Sequence, residues 1–243
     1  MTVSFLGEDY LEIRGLSVDF DGFKAIQDVD LDLRQGRLHF LIGPNGAGKT
    51  TLVDALTGLV QGTGDARFRN HNLLEMKSHK IVRLGIGRTF QTATVFEQLT
   101  VLQNLDIAAG LHRPTRSLLR ARRSVPESVE QALETIGLTA HADRPAGILA
   151  HGQKQWLEVG MLLVQDAQVM FLDETGELLQ RIVGDRTIVI IEHDMEFMRT
   201  YADFVTVMHG GKVLAEGTVA EIQADPQVQE VYLGTVTEVA AHD

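Results

Sequence analysis

The stretch Gly43-Pro44-Asn45-Gly46-Ala47-Gly48-Lys49-Thr50 constrains the fold of this chain more than any other, because it fits G-x-x-x-x-G-K-[ST]. The apolar run Leu38 to Ile42 precedes it and Thr51-Leu52-Val53-Asp54-Ala55-Leu56 follows, so the order reads strand, glycine-rich turn, helix. A turn of this kind curls successive backbone N–H groups around phosphate oxygens, and the helix that starts there points its positive dipole end at them. Lys49 then reaches the outer phosphates, and the Thr50 hydroxyl suits a Mg²⁺ ion. The motif therefore predicts an α/β fold with a mostly parallel sheet and a bound nucleotide.

The remaining composition excludes several other classes. At 243 residues with 44% hydrophobic content the chain can bury a sizeable core as one large or two small domains. A formal net charge of -11 and a pI near 5.2 argue against nucleic acid as a partner through the overall field. There is no cysteine, which removes disulfides, thiol catalysis and Cys-based zinc sites. No run of 18 apolar residues occurs, and Met1 to Tyr10 carries Glu8 and Asp9 without a basic segment, so neither a membrane span nor a secretion signal is expected.

Along the chain, Leu11-Glu12-Ile13, Leu16 to Phe20 and Val29 to Leu33 alternate with period two around the turn Asp21-Gly22, which predicts an opening antiparallel β-meander. Ser78 reads as the N-cap of a short helix, His79 to Leu84, that Gly85 closes. From Thr92 to Leu149 the pattern is helical. Thr100-Val101-Leu102-Gln103 and Ser124-Val125-Pro126-Glu127 read as capping boxes, the second followed by Val129, Ala132, Leu133 and Ile136 on one face. Between these helices Arg113, Arg116, Arg120, Arg122 and Arg123 form a solvated basic face. The unalternating runs Val169 to Leu172 and Thr187 to Ile191 then suit parallel strands covered on both sides. Gly210-Gly211 marks a hairpin between Phe204–Met208 and Lys212–Glu216; Thr218-Val219-Ala220-Glu221 caps a helix, and Pro226 opens a last one.

Two carboxylates, Asp173 and Glu174, stand at the C-terminal end of the Val169 strand, where open α/β sheets keep their ligands. Beside a phosphate loop, Asp173 suits the Mg²⁺ shell and Glu174 suits polarising an attacking water. Together with the loop they predict nucleotide hydrolysis.

Three further signals appear in order: Gln91 after Arg88-Thr89-Phe90, the phrase Leu149-Ala150-His151-Gly152-Gln153 at the start of a helix expected over Lys154 to Val164, and His193 after the strand ending at Ile191. With these the chain resembles the ATP-binding subunits of ABC transporters over essentially its whole length. The resemblance implies a P-loop NTPase fold, with residues 1–91 and 165–243 forming the RecA-like core and its antiparallel β subdomain, and residues 92–164 forming a helical subdomain. It implies ATP and Mg²⁺ as cofactors, with Gly43 to Thr51 on the phosphates, Phe20 stacked on adenine, and Thr50, Gln91 and Asp173 around the metal. Glu174, His193 and Gln91 would be catalytic, and Ala150, His151, Gly152 and Gln153 would reach the nucleotide of a partner chain in trans. The implied partners are membrane permease subunits and a second ATP-binding subunit, identical or related, with the chain peripheral on the cytoplasmic face of the cell membrane. The phrases Gly87 to Gln91 and His151 to Glu158 look like the branched-chain amino acid and urea importer branch, the second, with Trp156, most like the urea subunit. A branched-chain amino acid importer subunit and a non-transport ABC ATPase are the alternatives.

Two positions depart from the family pattern. Ala150 stands where a serine is usual, which removes a phosphate-binding hydroxyl. After Glu174 the family continues with a proline and an interface loop; here only the twelve residues Thr175 to Arg186 connect two strands expected to be parallel, near the lower limit for a crossover containing a helix. Either a loop is left out of the chain as written, or the deletion is genuine and impairs dimer closure.

Overall fold

The computed structural model describes residues 11–90, 94–111, 125–173, 182, 186–191 and 195–231. The opening meander is a hairpin of β1 (Leu11–Phe20) and β2 (Phe23–Leu33), and β3 (Leu38–Ile42) leads into α1 (Lys49–Leu56) through the glycine loop. Next come β4 (Thr63–Phe68), the two-residue β5 (His71–Asn72), α2 (Ser78–Leu84) and β6 (Ile86–Arg88). The helical stretch supplies α3 (Val101–Ala108), α4 (Glu127–Thr135) and α5 (His151–Val164). The chain then gives β7 (Val169–Asp173), β8 (Thr187–Ile191), α6 (Met195–Tyr201), β9 (Phe204–His209), β10 (Lys212–Gly217) and α7 (Val219–Ala224).

Two sheets result. One is antiparallel, in the order β2-β1-β4-β5; the other runs β10-β9-β3-β8-β7-β6, parallel except for its β10 edge. Every residue of β3, β7 and β8 is buried, which is why their sequences show no alternation. In the antiparallel sheet β1 alternates buried with more exposed positions along much of its length. Tight turns close the hairpins: Asp21 and Gly22 both have positive φ, as do Gly210 and Gly211, the backbone of a two-residue primed turn. One apolar cluster joins Phe40, Met170, Leu172 and Ile190 of the parallel sheet to Leu105, Leu133 and Leu157 of the three helices. A second places Leu52, Val53 and Leu56 of α1 between β1, β2 and the other face of the parallel sheet. The phosphate loop is thus carried on a strand and a helix that are both packed.

The structure moves two helix starts. Thr100 and Thr218 do form capping boxes, but Ser78 lies inside α2, whose N-cap is Lys77. The box expected at Ser124 does not start α4, because Pro126 is its N-cap and Glu127 its first residue; proline's fixed φ suits a helix start and forces the preceding residue out of the helical region. The strands β4 and β6, short and interrupted by glycine, were not signalled by periodicity. The arginine group at 113–123 lies outside the described residues.

Candidate functional site

The loop conformation depends on two glycines. Gly43 has φ of 152° and a Cβ there would lie 2.2 Å from the Met208 carbonyl oxygen; at Gly48, with φ of 101°, it would lie 2.8 Å from that of Ala25. No side chain fits either place. The β9–β10 turn supports the loop from behind, since the Gly211 N–H donates to the Ala47 carbonyl at 3.0 Å and the Gln27 N–H donates to the Gly211 carbonyl at 2.8 Å.

Gly48 is the N-cap of α1, no side chain caps it, and no acid stands in the first turn. Its positive end is therefore open to an anion. Lys49 Nζ donates to the carbonyls of Gly43 at 2.6 Å and Pro44 at 3.1 Å, and burial pushes its pKa below the usual lysine value. A phosphate would give this ammonium a better partner than two neutral carbonyls.

These groups border a cavity of about 430 Å³. Lys49, Thr50, Thr51 and the loop residues Asn45 to Gly48 form one wall, with Asp173 and Ile191 from the ends of β7 and β8 beside them. Asp173 is 8% exposed, and its N–H donates to Thr89 Oγ1 at 3.1 Å. Thr50 and Asp173, the two described members of the expected Mg²⁺ set, thus share the cavity. Among the described residues no three His, Asp or Glu side chains cluster to hold a metal, so a cation here would complete its shell with phosphate oxygens and water, as Mg²⁺ habitually does. The residues present fit a magnesium nucleotide.

The far wall contains two findings that the sequence did not signal. His151 and Gln155, one turn apart at the start of α5, border the same cavity as the chain's own phosphate loop, whereas the expectation was for 150–153 to act on a partner's nucleotide. Ala150, Gly152 and Gln153 do not line it. Ala150 is the N-cap of α5 and has no side-chain oxygen; only the returning half of a capping box is present, the Ala150 N–H donating to Gln153 Oε1 at 3.1 Å. Secondly, Phe23 lines the cavity and Phe20 does not. The two are paired across the Asp21-Gly22 turn and are 69% and 46% exposed. Paired strand residues share a face, so alternation alone could not choose between them. Gln91, Glu174, His193 and the connection from Thr175 to Arg186, apart from Ile182 and Arg186, are outside the described residues; β7 and β8, which that connection joins, are parallel neighbours as expected.

A second, smaller groove of about 280 Å³ lies where α5 meets β6, bordered by Leu59, Val82, Phe90, Glu158, Met161 and Leu162 among others. Leu59 and Phe90 are exposed on it. Arg88, also on its wall, pairs with Asp54 of α1 and stacks over the Phe90 ring with Cζ 4.7 Å from the centroid.

Comparison with known proteins places this geometry. The family model described as ABC transporter matches residues 26–176, and that described as branched-chain amino acid ATP-binding cassette transporter matches residues 212–237. The high-affinity branched-chain amino acid transport ATP-binding protein BraF of Pseudomonas aeruginosa is 36% identical over 248 residues, covering 92% of this chain and 97% of that protein. LivG of Escherichia coli, of the same description, is 35% identical over 253 residues, covering 94% and 99%. Both aligned spans exceed the 243 residues of the chain, so these relatives carry segments that it lacks. Among solved structures, the ADP conformation of MJ1267, an ATP-binding cassette of an ABC transporter, superposes with a TM-score of 0.77 at 30% identity, covering 93% of this chain and 99% of that one. A dimeric post-hydrolysis cassette, MJ0796 bound to ADP and Pi, shares the fold at 18% identity and a TM-score of 0.74. The chain belongs to the ATP-binding subunits of ABC transporters, ATPases that hydrolyse ATP to drive transport, in the branch that contains BraF and LivG.

Proposed function

We propose that this chain is the ATP-hydrolysing subunit of an importer for branched-chain amino acids, held peripherally on the cytoplasmic face of the cell membrane by permease subunits. The observation that carries the reading is the single cavity joining Lys49, Thr50 and Asp173 to the first turn of α5. Thr50 and Asp173 hold Mg²⁺, with Gln91 as a further ligand; bound there, the ion neutralises charge on the phosphates. Lys49 and the open end of α1 bind the phosphates, Glu174 polarises the attacking water, and His193 orients it against the terminal phosphate. A second subunit, identical or related, completes the site through its residues 150–153, and residues 92–164 move as a helical unit against the core formed by 1–91 and 165–243.

The apolar groove between α5 and β6 is the docking place for the permease, since it presents exposed Leu59 and Phe90 beside the chain leading to Gln91. Among the described residues no helix is long and apolar enough to cross a membrane, so the pathway for the solute belongs to those partners. The branched-chain assignment rests on the kinship with BraF and LivG and on the match at residues 212–237. Urea is the second reading, favoured by the phrase containing Trp156 alone, and Trp156 packs against the main apolar cluster, a structural role independent of the solute.

The test is uptake into proteoliposomes that contain the assembled transporter and enclose ATP. Leucine accumulation that Lys49→Ala abolishes is expected. Urea accumulation without leucine would replace the solute, and ATP hydrolysis unaffected by the permease would remove the import reading.

A further inference from the structure

The surface around α2 departs from the charge of the molecule as a whole. Formal net charge is -11, yet between Arg67 and Arg88 stand six of the 22 lysines and arginines against one acid, Glu75. Two of the six are matched locally, Arg67 by Asp65 and Arg88 by Asp54. The other four, Arg69, Lys77, Lys80 and Arg83, are exposed. Among the described residues no acid lies within ion-pair distance of Lys77, Lys80 or Arg83.

Folding gathers these charges on one face. Ile81 is buried, so α2 turns His79, Lys80 and Arg83 to solvent, and Lys77 is its N-cap; residues three and four apart on a helix are neighbours. No acid stands in the first turn. The turn between β4 and β5 adds Arg69, whose Nη1 donates to the Leu84 carbonyl at the end of α2 at 3.4 Å. A basic face thus forms on an acidic molecule.

Its place singles out a partner. Ser78 and Val82, on the adjoining side of α2, border the groove where Leu59 and Phe90 are exposed, the docking place given to the permease above. A permease lies in the bilayer, so the side of the subunit that carries this groove is turned to the membrane. The cytoplasmic leaflet bears anionic headgroups that attract clustered lysine and arginine. The molecule at -11 is repelled from such a surface overall, so attraction through α2 would also orient the subunit with its groove toward the bilayer.

We propose that the α2 face formed by Lys77, Lys80 and Arg83, with Arg69 beside it, binds anionic lipid headgroups of the membrane next to the permease. This rests on the groove's being the permease side of the subunit. The lipid contact holds the subunit at the surface and presents the groove, while the permease supplies the specific contact.

Flotation of the full chain with vesicles of phosphatidylcholine alone, and of phosphatidylcholine mixed with phosphatidylglycerol, tests it. Binding to the mixed vesicles only, reversed by high salt, is expected. Each basic residue near an anionic surface strengthens binding about fivefold, so Lys77→Gln/Lys80→Gln/Arg83→Gln is expected to bind roughly a hundredfold more weakly. Arg34→Gln/Arg37→Gln/Lys212→Gln, which removes the same charge from exposed positions elsewhere, is expected to bind nearly as the wild type, and both variants to keep the wild-type ATPase rate. Absence of binding to the mixed vesicles, equal binding to phosphatidylcholine alone, or an equal loss in both variants would overturn the proposal. So would an α2 variant that loses the permease in uncharged detergent, since the partner of the basic face would then be protein. The groove is tested separately by Leu59→Ser/Phe90→Ser, which is expected to lose the permease and keep the vesicles; a permease complex that survives this change defeats the docking reading instead.

Discussion

Phe23 and Phe20 illustrate how much depends on a single position. Both are exposed aromatics at the tip of the β1–β2 hairpin, but only Phe23 lines the cavity. Stacking of a base on an aromatic ring contributes roughly 1 to 3 kcal/mol, so Phe23→Ala is expected to weaken MgATP binding about tenfold and leave inorganic tripolyphosphate binding unchanged, while Phe20→Ala changes neither much. Calorimetry with both ligands checks this, and the reverse ranking would restore the adenine contact to Phe20. His39 offers a second test at this scale. It is 2% exposed on β3, and burial pushes its pKa down to about 4. Thr206 Oγ1 donates to Glu216 Oε1 at 2.9 Å and lies 2.7 Å from His39 Nε2, which assigns the proton of the neutral imidazole to Nε2. The folded pKa lies below the unfolded value of 6.5, so the stability this neutral histidine contributes is complete above pH 6.5. It is lost as the pH falls toward 4, by about 3 kcal/mol. Burial raises the pKa of Glu216, which acts in the opposite sense: its contribution is present below its ordinary value and lost as the pH rises. Urea unfolding of the wild type and His39→Gln between pH 4 and 7.5 isolates the histidine; the variant is expected to lose the steeper part of the acid slope, and parallel curves would contradict the assignment.

At the scale of elements, α5 is the piece that sequence reading located well and oriented poorly. A helix from Lys154 to Val164 was legible, but it begins three residues earlier, at His151, and the sequence did not show that His151 and Gln155 share the cavity with the chain's own loop, which depends on how α5 packs on α3 and the parallel sheet. The strands β3, β7 and β8 were readable as continuous apolar runs, and the hairpin turns as Asp-Gly and Gly-Gly pairs. Ser78 and Ser124 misled because a serine ahead of a helical pattern is only a candidate cap: Lys77 takes that place at α2, and Pro126 sets the α4 start more firmly. Ala150 leaves half a capping box, with Gln153 already bonded back to its N–H. Ala150→Ser completes it and is expected to stabilise the protein by about 1 kcal/mol, seen as a rise in melting temperature. The same hydroxyl is expected to raise ATP turnover or leave it unchanged; a clear fall in turnover would contradict its proposed place beside a phosphate.

For the molecule as a whole, the loop at Gly43 to Thr50 and the pair Asp173-Glu174 made the fold class and the chemistry legible, because each residue type there is required by phosphate and metal binding. The solute was not legible, since it meets other subunits. The connection of twelve residues between β7 and β8 and the longer aligned spans of BraF and LivG distinguish this chain from those relatives. In the proposed mechanism two subunits close on ATP to complete the site. Sedimentation of the Glu174→Gln protein at saturating MgATP tests it most directly: slowing hydrolysis should trap an ATP-dependent dimer that dissociates with ADP, whereas a protein that stays monomeric and still hydrolyses at the wild-type rate would contradict the account.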